Sequence, residues 1–160
     1  MTTGPFLTRD VGQAERSMRA LLDAQLTDRH LSFAEWTVLA FLGDGPARRS
    51  DLVRRQVAGH VALEPAAAAA VDRLLAAHLV QPLSPTPDDP AGDPPLRVTT
   101  SGAAVVGPLS ETIRELTRQL HAGLSPADVE VTRRTLAHLA RRAQALAGGA
   151  RPAPSGEPRD

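Results

Sequence analysis

The chain has 160 residues, no formal net charge, 42% hydrophobic and 22% charged residues, the balance of a globular chain long enough to bury a core. It contains no cysteine, which excludes disulfides, thiolate metal sites and thiol redox sensing. With three Phe, one Trp and no Tyr, its core must be built of Leu, Val and Ala, which suits helices better than packed sheets. All eighteen basic residues are arginine. No apolar run reaches the roughly 18 residues of a membrane span. The opening "MTTGPFLTRD" has neither the basic start nor the apolar stretch of a signal peptide, so the expected location is cytoplasmic.

Residues 1–8 read as a disordered N-terminus. From Arg9 to His30, apolar positions Val11, Ala14, Met18, Leu21, Leu22 and Leu26 recur at helical spacing. Ser32 with Glu35 three residues on forms a capping-box pattern, and "WTVLAFL" continues as a buried helix ended by "GDGP". Ser50 is placed to cap a short third helix, "DLVRRQVA", stopping near Gly59. Pro65 suits the first turn of a fourth helix, which contains five consecutive alanines, Ala66 to Ala70, and buries Val71, Leu74 and Leu75.

After it, "SPTPDDPAGDPP" holds five Pro and three Asp in twelve residues, a composition of exposed loops. The flanking "QPL" and "LRVTT" can pair as a hairpin around it. Helical spacing resumes from Ser101 through Val105, Leu109, Ile113, Leu116 and Leu120, and "SPAD" starts a last helix with Ser125 as its cap. Residues 148–160 read as a disordered tail by composition.

Nothing here suggests catalysis. There is no nucleophile–base pairing, no glycine-rich phosphate loop and no paired-carboxylate motif. His60, His78, His121 and His138 lack metal-ligand spacing. No cofactor, no metal and no enzyme activity are expected.

In order and spacing the elements resemble the MarR-type winged helix-turn-helix transcriptional regulators. "LSFAEWTVLAFL" resembles the family's second helix through Leu31, Trp36, Val38, Leu39 and Leu42. "VDRLLAAHLV" resembles the end of its recognition helix through Val71, Arg73, Leu74, Leu79 and Val80. "RVTTSGAAVV" resembles the wing's return strand and fifth-helix start through Thr99 and Gly102, and "GLSPADVEVTRRTLAHLARR" resembles the last helix.

The resemblance implies a mainly α fold, a winged helix-turn-helix with a short β-hairpin wing and N- and C-terminal dimerisation helices. It would form one domain over residues 9–147, with 9–30 and 101–147 making the dimer and 31–100 the DNA-binding winged helix. Implied partners are double-stranded DNA, a second copy of the chain and a small-molecule effector, with no membrane. The long apolar stripes support a shared helical interface independently, since they exceed what a winged helix of this size could cover.

On this reading Arg48, Arg49, Arg54, Arg55 and Arg73 hold phosphates, Ser50 and Arg97 also bind DNA, and Ala66 and Ala69 fit the groove; Arg19, His30 and Trp36 would face the effector. Two features depart from the family. Its recognition helix carries Ser, Thr and Arg where this chain has Glu64, Pro65 and alanines. Its wing carries an Asp-x-Arg signature where this chain reads Asp88, Asp89, Pro90, Ala91, Gly92, Asp93. A charge run is also commonly a solvated helix face. A second reading therefore stands beside the first: a winged-helix protein that no longer reads DNA and serves as a ligand-binding or protein-interaction module.

Overall fold

The computed structural model describes residues 6–84 and 92–149. In chain order these form α1 (Phe6–Thr27), α2 (Phe33–Gly43), β1 (Ala47–Arg48), α3 (Arg49–Ala58), α4 (Glu64–Ala76), β2 (Val80–Pro82), β3 (Pro95–Val98), α5 (Thr100–Leu120) and α6 (Pro126–Gly149). The chain folds as two compact units, one running through Leu116 and the other from Thr117. Helix starts at Phe6 and persists to Gly149, so the structure reaches further at both ends than composition suggests. Most of the proline-rich wing tip (85–91), residues 1–5 and the tail from 150 lie outside the described residues.

Within the first unit, Leu26, Val38, Leu39, Leu52, Val71, Leu74, Val80, Leu96 and Leu109 make a continuous core. Burying each such side chain contributes about 1.5–3 kcal/mol. The alanine run takes part. Ala67 and Ala70 are fully buried along with Val71 and Leu74, while Ala66 is exposed. These positions, three and four apart, form one helix face, and a methyl side chain there lets neighbouring backbone come close.

The capping box at α2 is present in full. Ser32 Oγ accepts the Glu35 N–H at 3.2 Å, and the Glu35 carboxylate accepts the Ser32 N–H at 2.6 Å. The expected Ser50 cap is not formed. The residue preceding α3 is Arg48, which makes no side-chain cap bond, and Ser50 lies in the first turn. The cause is β1: Ala47 and Arg48 are held extended by pairing with Leu96 and Pro95 of β3, so the helix begins as soon as the strand ends. The Ser50 N–H instead donates to Asp93 Oδ2 at 3.4 Å.

Three turns at helix ends share one construction. α1, α3 and α4 each end with a histidine in the left-handed region, His30, His60 and His78, at φ of 55°, 54° and 55°. Each histidine N–H bonds back to a carbonyl three residues earlier, and the following N–H reaches one five residues earlier, as in Leu31 N–H to Leu26 O at 3.1 Å. This is the Schellman closure with histidine where glycine is usual. α3 stops at Gly59 as expected; the glycine has a φ of −83°, and the left-handed position falls to His60.

The sheet is antiparallel with β3 in the middle, in the order β1-β3-β2. The expected hairpin is observed, with Val80 opposite Val98 and Pro82 opposite Leu96; β1 is an additional strand. Where β3 meets α5, Thr99 Oγ1 donates to His78 O at 2.7 Å and accepts the Gly102 N–H at 2.9 Å. Gly102 is buried against the Leu79 carbonyl, and a Cβ placed there would lie 2.1 Å from that oxygen. In the second unit, Ser125 Oγ accepts the Asp128 N–H at 3.1 Å and donates to the Asp128 carboxylate, capping α6. Among the described residues, no helix is long and apolar enough to cross a membrane.

Candidate nucleic-acid interface

α3 and its preceding residue carry Arg48, Arg49, Arg54 and Arg55 against one acid, Asp51. Between α3 and α4 runs an open groove of about 570 Å³, lined by Arg49, Ser50, Val53, Arg54, Val57, Ala58, Glu64 and Ala68. Its floor is apolar and its charges stand on the rim. Leu63, at the mouth of α4, is 81% exposed.

The arginines expected to hold phosphates already have partners. Arg49 makes a bidentate pair with Asp72 of α4, Nε to Oδ1 at 3.0 Å and Nη2 to Oδ2 at 2.9 Å. That hydrogen bond holds the Arg49 guanidinium above its ordinary pKa, with the charges of Asp72 and the wing-base Asp93 adding to it against partial burial. Arg54 pairs with Asp51 one turn back, yet its side chain remains 75% exposed. Arg55 turns toward α2, its guanidinium 5.6 Å from the centre of the Phe41 ring. On β3, Arg97 faces Gln81 of β2, whose amide oxygen, turned toward it, accepts from Nη2 at 2.8 Å and Nε at 2.9 Å. Arg48 is half-buried in β1.

Arg73 points to α2, not to the groove. Its Nε donates to Glu35 Oε1 at 2.7 Å, and that carboxylate also accepts from Ser32 N and Oγ at 2.6 Å each. Burial alone would raise the Glu35 pKa, but the Ser32 hydrogen bonds and Arg73 outweigh it and hold the carboxyl below its ordinary value. Charge-assisted hydrogen bonds of this kind are the strong ones, and here they make a packing device that joins α4 to α2.

The structure therefore brings Arg49, Ser50 and Arg54 together on one groove and sends Arg55, Arg73 and Arg97 elsewhere. Of the two reading alanines, Ala66 is exposed and Ala69 half-buried. The residues expected at an effector pocket all lie on α1, the head of α2 or the turn between them. Arg19 stacks its guanidinium 3.5 Å from the centre of the Phe33 ring, His30 is the turn after α1, and Trp36 packs half-buried against the core. Among the described residues, no group of three or more His, Asp or Glu is placed to hold a metal ion.

Sequence reasoning passed over Asp51, Asp72 and Glu35 as arginine partners. Asp51 lies three residues from Arg54, a spacing that signals a helical ion pair. Asp72 and Arg49, 23 positions apart, and Glu35 and Arg73, 38 apart, carry no local signal.

No sequence-family model and no curated protein matches the chain. Solved structures do. A MarR family regulator from Neisseria meningitidis superposes with a TM-score of 0.70 at 14% identity, covering 89% of this chain and 97% of that one. A mutant MarR from E. coli complexed with operator DNA gives 0.66 at 21%, covering 83% and 92%. Bordetella bronchiseptica BpsR, whose DNA binding is regulated by 6-hydroxynicotinic acid, gives 0.65 at 21%, covering 90% and 96%. The chain has the MarR-type winged-helix fold. In the terms of that fold, α3 and α4 occupy the places of the helix-turn-helix, and β2 and β3 that of the stem of the wing.

Proposed function

We propose that this MarR-type protein is a DNA-binding transcriptional regulator of the cytoplasm, a repressor that works by binding and not by catalysis. It acts as a homodimer on a pseudo-palindromic operator, under the control of a small-molecule effector near Arg19, His30 and Trp36. The observation that carries the reading is the basic α3 beside the groove edge of α4, with Arg49, Ser50 and Arg54 on one rim. Phosphate contacts need such donors, and a helix-turn-helix presents its second helix to the major groove. Support for the effector comes from BpsR, which has this fold and whose DNA binding is regulated by 6-hydroxynicotinic acid. Support for the homodimer comes from apolar side chains left exposed in the single chain, among them Met18 and, in the second unit, Val131, Leu136, Leu139 and Leu146. A second copy is the natural cover for them.

The test is a mobility shift of the protein on DNA upstream of its own gene, repeated over a salt series. Binding should weaken steeply with salt, and the half-sites should lie about one helical turn apart. Arg54→Ala should weaken binding on every sequence and lower the log–log salt slope by about 0.9 for each phosphate it leaves unneutralised. No shift even at low salt would refute the reading.

One observation favours the second reading, a protein-interaction or ligand-binding module. The guanidiniums of Arg49, Arg54 and Arg73 are each engaged by a carboxylate of the same chain, and phosphate would have to displace or share those partners. That reading predicts no footprint on any sequence, together with a ligand or partner that raises the melting temperature.

A further inference from the structure

The accessible side of the first turns of α4 holds nothing that can donate a hydrogen bond to a base; Arg73, exposed further along the helix, is engaged by Glu35. The first turns present Glu64, Pro65 and Ala66 to solvent, with Ala68 and Ala69 half-buried behind them. Across the groove stand Val53 and Val57, the latter 40% exposed. Of the donors nearest this floor, Arg49 is occupied by Asp72 and the Ser50 N–H by Asp93, while the Ser50 hydroxyl stands with Arg54 on the rim. Arg54 is the extended cation of the rim, suited to the backbone of the duplex. What the first turns of α4 offer base edges is a row of methyl groups, with the Glu64 carboxylate at their head and Asp72, paired with Arg49, beyond them.

In the major groove, hydrogen-bond donors and acceptors distinguish every base pair, but only one base offers an apolar group there, thymine with its 5-methyl. A helix surfaced with alanine can lie deep in the groove because nothing holds its backbone away from the bases. We propose that this protein recognises its operator through thymine 5-methyl groups. They are received by Ala66, Ala68 and Ala69 of α4 with Val57 of α3, and Glu64 accepts from a neighbouring cytosine amine. This rests on the regulator reading and makes it specific: sequence is read by apolar contact, and phosphates are held by α3.

The experiment selects bound duplexes from a randomised pool, then replaces the thymines of the enriched half-site one at a time by deoxyuridine, which lacks only the methyl group. Affinity should fall about fourfold at each contacted thymine, the effect of leaving one apolar carbon in water. The salt slope should not change, because every phosphate stays neutralised as before. Ala66→Gly should shrink the deoxyuridine effect at the thymine it touches, so the two losses are not additive. If that variant does not fold, the wild-type series alone decides. Equal affinity for thymine and deoxyuridine duplexes would overturn the proposal and leave the regulator reading intact, as would an enriched half-site without thymine. A pool from which no sequence is enriched would sink both.

Discussion

Gly102 offers the sharpest check on the packing. It lies in the first turn of α5, where alanine would ordinarily be preferred by about 1 kcal/mol. A Cβ there, however, would sit 2.1 Å from the Leu79 carbonyl oxygen and 2.8 Å from Val98 Cγ1. The carbonyl cannot yield, because it accepts the Thr99 N–H at 3.0 Å and lies 3.2 Å from the Thr99 hydroxyl, whose one proton it shares with His78 O. Gly102→Ala must therefore push α5 off the wing stem. Overpacking costs about 1–3 kcal/mol, and losing one or two of the Thr99 bonds adds about 1 kcal/mol each. Subtracting the propensity gain leaves a loss of about 2–3 kcal/mol. Urea unfolding at a fixed protein concentration measures it, and in a heating scan the midpoint should drop by about 4–12 °C at about 2–4 °C per kcal/mol. Gly43→Ala is the control, since that helical glycine has nothing within 4 Å of its would-be Cβ; it should be neutral or mildly stabilising. If Gly102→Ala behaves like Gly43→Ala, the close approach of α5 to the wing stem is wrong.

Two further outcomes follow from local chemistry. The folded Glu35 carboxyl titrates below its ordinary value of 4.5, so its contribution is fully present above that pH and is lost as pH falls through the folded pKa. Glu35→Gln should cost about 1–3 kcal/mol at neutral pH and flatten the acid limb of a stability–pH curve; an unchanged acid limb would show that the network with Ser32 and Arg73 contributes nothing. His60→Gly and His78→Gly each remove the strain of a left-handed non-glycine residue, about 1–2 kcal/mol, against the entropy that glycine adds to the unfolded chain. A net gain of about 0.5–1 kcal/mol per site should appear as a higher unfolding midpoint, whereas a loss would mean that the imidazoles make stabilising contacts.

What could be read from the sequence is what depends on near neighbours. The capping box at Ser32, the cap at Ser125 and Pro65 at the head of α4 all lie within three residues and need no knowledge of the fold, whereas the Thr99–Gly102 contact was legible only through the family resemblance. β1 escaped notice because two residues cannot display a period. The sides of the alanine run were also hidden, since five identical residues have no pattern, and only Val71 and Leu74 downstream set which methyl groups turn inward. The arginines show the limit most clearly. Their number and position mark a basic α3, but whether each guanidinium faces solvent or a carboxylate depends on Asp72 and Glu35, which the chain delivers from other helices.

The central place of β3 has a mechanical consequence. Its two neighbours are the outgoing strand of the wing and the two residues that lead directly into α3. Leu96 is shared, lying opposite Ala47 on one side and Pro82 on the other. Wing stem and α3 entry therefore behave as a single lever. Any displacement of β3 carries Arg48 and Arg49 with it, so the Arg49–Asp72 pair and the direction of the wing stem change as one coordinate.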